Sequence, residues 1–130
     1  LIIERDDTEG DVAQACTEGA PKPDCFNVPA KFKRIYKVDL GQADADGFVK
    51  KVGYIDLMDI QDPNKLARQG GKDGKLTFPF FTIENVDLVD GDHIIVGNDN
   101  NLPFSSGRAL GKSDDNELIL LKVTDLLKAK

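Results

Sequence analysis

The sequence has a single histidine, only two cysteines, and no apolar run approaching the ~20 residues that a membrane-spanning helix needs. One histidine cannot build a histidine-rich transition-metal site from this chain alone. Basic residues are also scarce: 17 lysines and arginines face 23 aspartates and glutamates, a formal net charge of −6 over 130 residues. We therefore expect no membrane span and no nucleic-acid partner, because nucleic acids favour a basic surface. An acidic balance is compatible with cation binding.

The two cysteines, Cys16 and Cys25, enclose a segment rich in Gly, Pro, Thr and Asp, which is typical of a loop. A disulfide closing this loop would stabilise the fold by about 2–3 kcal/mol by restricting the unfolded chain. Such a bond indicates an oxidising compartment, so we expect a periplasmic or secreted protein. The alternative is a pair of unrelated reduced thiols. Metal binding by the cysteines is not expected, since the chain has no second cysteine pair.

Strand patterns dominate the chain, and turns rich in Gly and Asp separate them. A change of parity near Glu84 and Asn85 predicts a β-bulge. Helical signal is limited to Asp59–Gln69 and the last eight residues, so the sequence predicts an all-β protein. The strand-like segments are Leu1–Asp6, Phe32–Leu40, Phe48–Leu57, Phe80–Asp90, His93–Asp99 and Glu117–Val123.

The strands form a repeated pattern, in which LIIERDD followed by RIYKVDL resembles HIIVGNDN followed by LILLKVTDL. Each copy has an apolar strand ending in polar residues, a long polar loop, and a strand ending in Lys-Val and Asp-Leu. Repeated four-stranded antiparallel sheets build β-propellers. Residues 1–130 are therefore predicted to hold strands two to four of one blade and strands one to three of the next.

Two incomplete blades cannot bury their faces alone, because each blade packs on its neighbours. The sequence also begins at Leu1, without a methionine and inside an apolar run. We therefore expect a piece of a larger chain, whose remaining N-terminal polypeptide is its folding partner. The alternative is a small self-contained β-sandwich.

The segment FPFFTIENVDLVDGDHIIVGNDNNLPFSSGR, followed by DDNELILLKV, resembles bacterial proteins of the phytase-like family, described by the esterase-like activity of phytase. LIIERD is also similar to that family's strand ending in Glu-Arg-Asp. The resemblance covers both ends of the chain, and residues 41–75 are less distinctive. It implies a β-propeller of which residues 1–130 are the C-terminal part, an exported location, and a hydrolase or phosphoesterase activity. Many propellers only bind ligands.

Polar side chains gather at two strand ends, which the repeat places on one face of the predicted ring. Glu4, Arg5 and Asp6 end the first strand, and Asn98 to Asn101 follow the strand that begins at His93. Glu84 lies on the strand predicted to line the central channel. Carboxylate and amide oxygens suit Ca²⁺ or another divalent cation. The predicted metal ligands are Glu4, Asp6, Glu84 and Asp99.

A phosphoester hydrolase uses such an ion to neutralise phosphate charge and activate water, and arginines bind phosphate oxygens. The predicted catalytic residues are Glu84 and Arg5, and the predicted substrate-binding residues are Arg5, Asn98, Asn101 and Arg108. Simpler interpretations stay open. Asn98 and Asn101 suit turns, Glu4 and Arg5 suit an ordinary ion pair, and an arginine suits Glu84 as well as a metal does.

The sequence thus predicts an exported, metal-dependent hydrolase of small phosphoesters or related esters. The alternative is a non-catalytic propeller that binds a phosphate or other ligand and holds structural Ca²⁺. Ser105 and Ser106 are assigned to a loop, because PFSSGR is not a nucleophile elbow, and His93 is assigned to a surface turn. The aspartate-rich stretch Gly41–Phe48 lacks the bidentate glutamate of a calcium loop and predicts a hairpin turn.

Overall fold

The computed structural model describes residues 1–19 and 21–130; Ala20, which comes between the two cysteines in the sequence, lies outside the described residues. The chain is mostly β, and the helix expected at its C-terminus is confirmed as α1 (Thr124–Lys128). A 3₁₀-helix spans Val12–Gln14. No helix in the described ranges is long and apolar enough to span a membrane. The strands are β1 (Ile2–Arg5), β2 (Lys33–Ala43), β3 (Val49–Asp56), β4 (Ile60–Gln61), β5 (Gly71–Lys72), β6 (Lys75–Leu76), β7 (Ile83–Leu88), β8 (His93–Asn98) and β9 (Leu118–Lys122).

Three small antiparallel sheets contain these strands. The first sheet has the order β1-β2-β3, the middle sheet β4-β6-β5, and the last sheet β7-β8-β9. The first and last sheets are meanders, in which each strand pairs with the next along the chain. The predicted hairpin between β2 and β3 is confirmed, because the Asp44 carboxylate accepts the N–H groups of Asp46 at 3.0 Å and Phe48 at 2.9 Å.

The first and last sheets share one strand register. Ile2 pairs with Tyr36 in the first sheet, and Ile94 pairs with Leu121 in the last. These are the positions that coincide when LIIERDD is aligned with HIIVGND and the two Lys-Val pairs are superimposed. Two strand pairs with one register and one long connection are therefore two copies of one unit.

The first and last sheets pack against each other with non-equivalent faces. In the first sheet the side chains buried in the common core are Ile35 and its neighbours Ile3 and Ile55. Ile3 corresponds to Ile95 and Ile35 to Leu120 in the last sheet, where Leu120 is 62% exposed. The last sheet instead buries the opposite face, with the side chains of Ile94, Val96 and Leu121. Unlike faces of the repeated unit thus meet in the core, and Phe78 and Phe80 fill the space beside them.

One local prediction from the sequence is wrong and another is confirmed. The expected helical turns in Asp59–Gln69 are wrong, because the Asp62 carboxylate accepts the N–H groups of Leu66 at 2.8 Å and Ala67 at 3.0 Å, and Lys65 has a φ of 53°. This side-chain bonding competes with a helix. The predicted bulge is confirmed, since the β7–β8 register shifts between Ile83 and Asn85.

Candidate functional site

The two long polar connections meet at one end of the sheets. The Glu9 carboxylate accepts the N–H of Ser106, with both oxygens at 3.2 Å, and Gln14 Nε2 donates to the Arg108 carbonyl at 3.1 Å. Arg5 and Phe81 lie together at the same end, with the guanidinium carbon 5.3 Å from the ring centre. We name this surface the loop face; it comprises residues 6–19, 21–32 and 99–117.

Asp6 and Asn98 hold equivalent places at the root of the two connections. The Asp6 carboxylate accepts the N–H groups of Lys31 at 2.8 Å and Phe32 at 3.1 Å. Asn98 Oδ1 accepts the N–H of Glu117 at 2.7 Å, and Glu117 occupies the position of Phe32 in the repeat. Each side chain therefore ties the end of one strand to the start of the next. The sequence left open a turn role for Asn98, and the observed bond is instead this tie between two strands.

The Lys33 side chain is the buried cation of the first connection. It has no solvent-accessible surface, and its Nζ lies 2.6 Å from Asp6 Oδ1. It also donates to the carbonyls of Asp6 at 2.9 Å and Thr8 at 2.7 Å. Burial lowers the pKa of Lys33, and the Asp6 carboxylate partly offsets that effect. The Lys33 ammonium group therefore occupies the position that a metal cation ligated by Asp6 would take.

The Asp6 carboxylate is correspondingly held in its charged form. Burial by itself raises the pKa of Asp6, but the hydrogen bonds from Lys33 and Lys31 and the charge of Lys33 bring the pKa below its ordinary value. Glu4, the neighbouring predicted ligand, forms an ion pair with Lys51 on the outer face of the first sheet. Both carboxylates therefore already have lysine partners.

The guanidinium of Arg108 bonds to other groups of the protein. Its guanidinium forms a two-bond pair with Glu117, at 2.9 Å from Nε and 2.6 Å from Nη2, and its Nη1 donates to the Thr77 carbonyl at 2.9 Å. The side chain also lies over the Phe80 ring at 4.9 Å. This arrangement joins the second connection to the core.

The polar run after β8 forms a turn against β7. Asn101 has a φ of 44°, and its Nδ2 donates to Thr82 Oγ1 at 2.7 Å. Asp99 Oδ1 accepts the Asn101 N–H at 2.9 Å, while Thr82 Oγ1 donates to the Asp99 carbonyl at 2.6 Å. Asn101 thus has the turn chemistry that the sequence allowed, and the exposed Asp99 carboxylate lies on the loop face.

Arg5 and Glu84 keep their polar atoms free of the rest of the described chain. Arg5 is half-buried and contacts Phe81, but its guanidinium makes no hydrogen bond or ion pair with residues 1–19 or 21–130. Glu84 is exposed at the bulge of β7, and its carboxylate has no such contact either. Of the two arginines predicted to bind substrate, Arg5 is the one with available donors.

Glu9 is a residue that sequence reasoning did not select. Burial raises the pKa of Glu9, the Ser106 N–H opposes that effect, and the nearby Asp114 charge adds to it. Asp114 is itself buried and accepts the N–H groups of Gly107 at 2.7 Å and Arg108 at 2.9 Å. No local sequence motif predicts a functional role for Glu9, because its partner Ser106 is 97 residues away in the sequence.

The remaining expectations concern the cysteines, His93 and the metal. The disulfide between Cys16 and Cys25 is confirmed, with Cα atoms 5.0 Å apart. His93 lies at a hairpin, where Nδ1 is 2.9 Å from Asp90 Oδ1. Within the part of the chain that the structure describes, no three His, Cys, Asp or Glu side chains come close enough to hold a metal ion. The predicted ligands therefore do not form a complete site with one another.

These features define a class: a repeated antiparallel β protein whose two long connections share one loop face. The chain matches the family described as "Phytase-like: Esterase-like activity of phytase" over residues 1–102, and it belongs to that family. The resemblance seen in the sequence is thereby confirmed, and membership suggests an esterase-like or phosphatase-like hydrolase. Searches of curated proteins and of solved structures return no match.

Proposed function

We propose that this chain is part of an exported β-propeller hydrolase that acts on phosphoesters or related esters at the loop face. Family membership over 102 of 130 residues is the observation that supports hydrolysis. The guanidinium of Arg5 lies beside the aromatic ring of Phe81 and has no hydrogen-bond or ion-pair partner among the described residues, which supports binding of a substrate that carries negative charge. The disulfide supports, by itself only weakly, an oxidising compartment.

The way the sheets stack supports a propeller rather than a two-sheet sandwich. When repeated sheets pack with two different faces in contact, each sheet still has one face that can pack on a further sheet. The row of sheets then either closes into a ring or continues. The last sheet has such an open face, on which Leu118 is 70% and Leu120 is 62% exposed. The first sheet likewise exposes Ile2 and Tyr54 on its outer face. Further blades, from the remaining polypeptide of the same ring, would cover both.

Arg5 would bind the phosphoryl or carboxyl oxygens of the ester and stabilise the charge that develops as water attacks. Of the four predicted ligands, Asp99 and Glu84 have no lysine or arginine partner among the described residues, so they are the candidates for orienting water. Exposed side chains such as Glu84 acquire a defined geometry only when other polypeptide or substrate packs on them. The catalytic roles of Glu84 and Arg5 therefore depend on the complete ring.

A divalent cation fits this chain only in part. Glu4 and Asp6 already pair with Lys51 and Lys33, so Glu84 and Asp99 are the two predicted ligands that remain available. Calcium takes six to eight oxygen ligands, and these two carboxylates supply too few. We therefore derive no catalytic step through a metal, and Ca²⁺ binding remains a hypothesis for a site completed by other residues.

The experiment is a titration of the ¹⁵N-labelled chain with inorganic phosphate, compared between wild type and Arg5→Ala. We expect shifts at the amides around Arg5, Phe81 and Asp99, and about tenfold weaker binding in the variant. Arg68→Ala, at an exposed arginine outside the loop face, serves as the matched control and should leave binding unchanged. Equal binding by Arg5→Ala and wild type would contradict the assignment of Arg5.

Turnover is tested with the intact ring on 4-nitrophenyl phosphate and 4-nitrophenyl acetate. Hydrolysis that is lost in Arg5→Ala, with phosphate binding also weakened, would support the hydrolase. Phosphate binding without turnover of either compound would favour the binding propeller instead.

A further inference from the structure

We infer that Glu9 is the proton donor for the leaving alcohol in the hydrolysis proposed at the loop face. The inference rests on the proposed function and adds a residue that neither the sequence patterns nor the family match assigns. Three features of Glu9 support it: the contacts that hold its carboxyl group, its position relative to Arg5, and the charges around it.

The contacts of the Glu9 carboxylate differ from those of Asp6, the other half-buried acid at the start of the first connection. Asp6 accepts two backbone N–H groups and pairs with Lys33. The two oxygens of Glu9 share one backbone donor, the Ser106 N–H, at 3.2 Å each, and the Ser106 hydroxyl is 3.5 Å from Oε1. The ion pairs of the described chain do not include Glu9. One oxygen can therefore keep the Ser106 N–H while the other carries a proton.

Glu9 is connected to Arg5 through the Lys33 side chain. Arg5 pairs with Lys33 across β1 and β2, and directly opposed residues place their side chains on the same face of a sheet. Lys33 Nζ donates to the Thr8 carbonyl at 2.7 Å, and Thr8 directly precedes Glu9. The carboxyl group and the guanidinium proposed to bind the substrate anion therefore belong to the same part of the loop face.

The backbone around Glu9 is fixed on both sides. The Gly10 N–H donates to the Pro79 carbonyl at 3.0 Å, and the Gly10 carbonyl accepts the Ala30 N–H at 3.0 Å. The second connection packs closely here, because a Cβ at Gly107 would lie 3.3 Å from the Glu9 Cβ and 2.8 Å from the Pro79 carbonyl. This packing holds the carboxyl group in one place, which general acid catalysis requires.

The charges around Glu9 favour its protonated form. Asp114 and Lys33 are the charged groups that act on it, and the Asp114 carboxylate is itself buried. Burial raises the pKa of Glu9 and the Asp114 charge adds to that effect, whereas the Ser106 N–H and the Lys33 charge oppose it. A carboxyl group that keeps its proton to higher pH is the form that a proton donor needs.

Proton transfer from Glu9 completes the hydrolysis without an additional reactant. Water attacks the phosphorus of a phosphate monoester, the bond between phosphorus and the alcohol oxygen breaks, and the Glu9 carboxyl group gives its proton to that oxygen. Of the two protons of the attacking water, one stays on the phosphate and the other returns to the Glu9 carboxylate. One ester and one water are thus converted to one alcohol and one phosphate.

The test compares esters that differ in how much their leaving group needs a proton. We would measure kcat/KM of the intact ring, wild type and Glu9→Gln, on methyl phosphate and 4-nitrophenyl phosphate. Methoxide leaves only with a proton, whereas 4-nitrophenolate leaves as the anion. We expect Glu9→Gln to lower kcat/KM by about 100-fold or more on methyl phosphate and by less than about tenfold on 4-nitrophenyl phosphate. The fall in kcat toward high pH on methyl phosphate should also disappear in the variant.

The controls separate the proton from the charge and from the fold. Asp7→Asn removes an exposed negative charge from the same connection and should leave both rates unchanged. Circular dichroism checks that both variants keep the wild-type sheet content. In the wild type, a ¹³C titration of the Glu9 carboxyl group should give a pKa above the ordinary 4.5, and a pKa at or below 4.5 would contradict the inference without any variant.

The outcomes distinguish this inference from the proposed function. Hydrolysis of both esters by the wild type, with an equal change or no change on the two in Glu9→Gln, would overturn the role of Glu9 and leave the hydrolase standing. Hydrolysis of neither ester by the wild type would overturn the proposed function and this inference together.

Discussion

The two long connections do the same structural task with different chemistry. In the first, a charged Asp6 ties the strand ends together and a buried Lys33 neutralises it. In the second, the neutral Asn98 occupies the equivalent place and Leu118 stands at the position of Lys33. The comparison teaches that the two connections share a geometry, in which a side-chain oxygen accepts one backbone N–H. The charge of that side chain differs between them.

The largest expected effect is the removal of the buried cation. Lys33→Met removes the ammonium that pairs with the Asp6 carboxylate and donates to the carbonyls of Asp6 and Thr8. We expect the free energy of unfolding to fall by about 3–5 kcal/mol, because breaking a buried ion pair strands a charge. Urea unfolding followed by circular dichroism measures this. A loss within 0.5 kcal/mol, the usual range at ordinary surface sites, would mean that the pair contributes little.

The second copy suggests how to rescue that loss. The double variant Asp6→Asn with Lys33→Leu gives the first connection the residues of the second. It should recover a large part of the stability lost in Lys33→Leu alone, since no charge remains to be neutralised. A double variant as unstable as the sum of the two single variants would show that the copies are not interchangeable at this site.

The disulfide is specific to the first connection. Replacing Cys16 and Cys25 with serine should lower the free energy of unfolding by about 2–3 kcal/mol, mainly by freeing the unfolded chain. Thermal unfolding with and without reductant is the measurement. Reductant should lower the melting temperature of the wild type and leave that of the double serine variant unchanged.

The converse substitution places a charge in the second connection. Asn98→Asp keeps the acceptor for the Glu117 N–H but loses the donor to the Asp115 carbonyl, at a side chain that is 5% exposed. With no lysine at position 118, we expect a loss of about 1–3 kcal/mol at pH 7. Because the penalty comes from the charge, it should shrink at acidic pH; a loss independent of pH would point to packing.

The smallest effects are those of pH. The pKa of Asp6 is below its ordinary value of 3.8, so its contribution is complete above 3.8 and is lost as the pH falls through the folded pKa. The pKa of Glu9 is above 4.5, so its ionisation costs stability as the pH rises from 4.5 through the folded pKa. Relative to wild type, the slope of stability against pH should change below pH 3.8 in Asp6→Asn and above pH 4.5 in Glu9→Gln, with opposite signs. Curves parallel to wild type would contradict both assignments.

The sequence predicts most of the β framework, because alternation and turn residues act locally. The bulge near Glu84 and the hairpin at Asp44 depend on neighbours within a few residues, and the structure contains both. The disulfide was predictable for a similar reason, since its two cysteines are only nine positions apart in the sequence. The helical turns expected in Asp59–Gln69 failed where the Asp62 side chain took the backbone N–H groups that a helix would use.

The candidate site was predictable in composition but not in pairing. Arg108, Asp6 and Glu4 looked available in the sequence, yet Glu117, Lys33 and Lys51 engage them across strands or loops. Such partners lie 9 to 47 residues away, and the strand pairing or the folding of a long connection brings them together. Lys33 gave a faint signal, since it shares its strand parity with the buried Ile35.

The most direct test of the equivalence between the two sheets is a pair of inter-strand proton contacts measured by NMR. Antiparallel residues that exchange no hydrogen bonds bring their Cα atoms to about 4.5 Å, so their α-protons give strong nuclear Overhauser effects. The account predicts such effects between Ile3 and Ile35 and between the corresponding Ile95 and Leu120. A strong effect from Ile95 to the α-proton of Ile119 or Leu121 instead, with Ile3 still opposite Ile35, would contradict it.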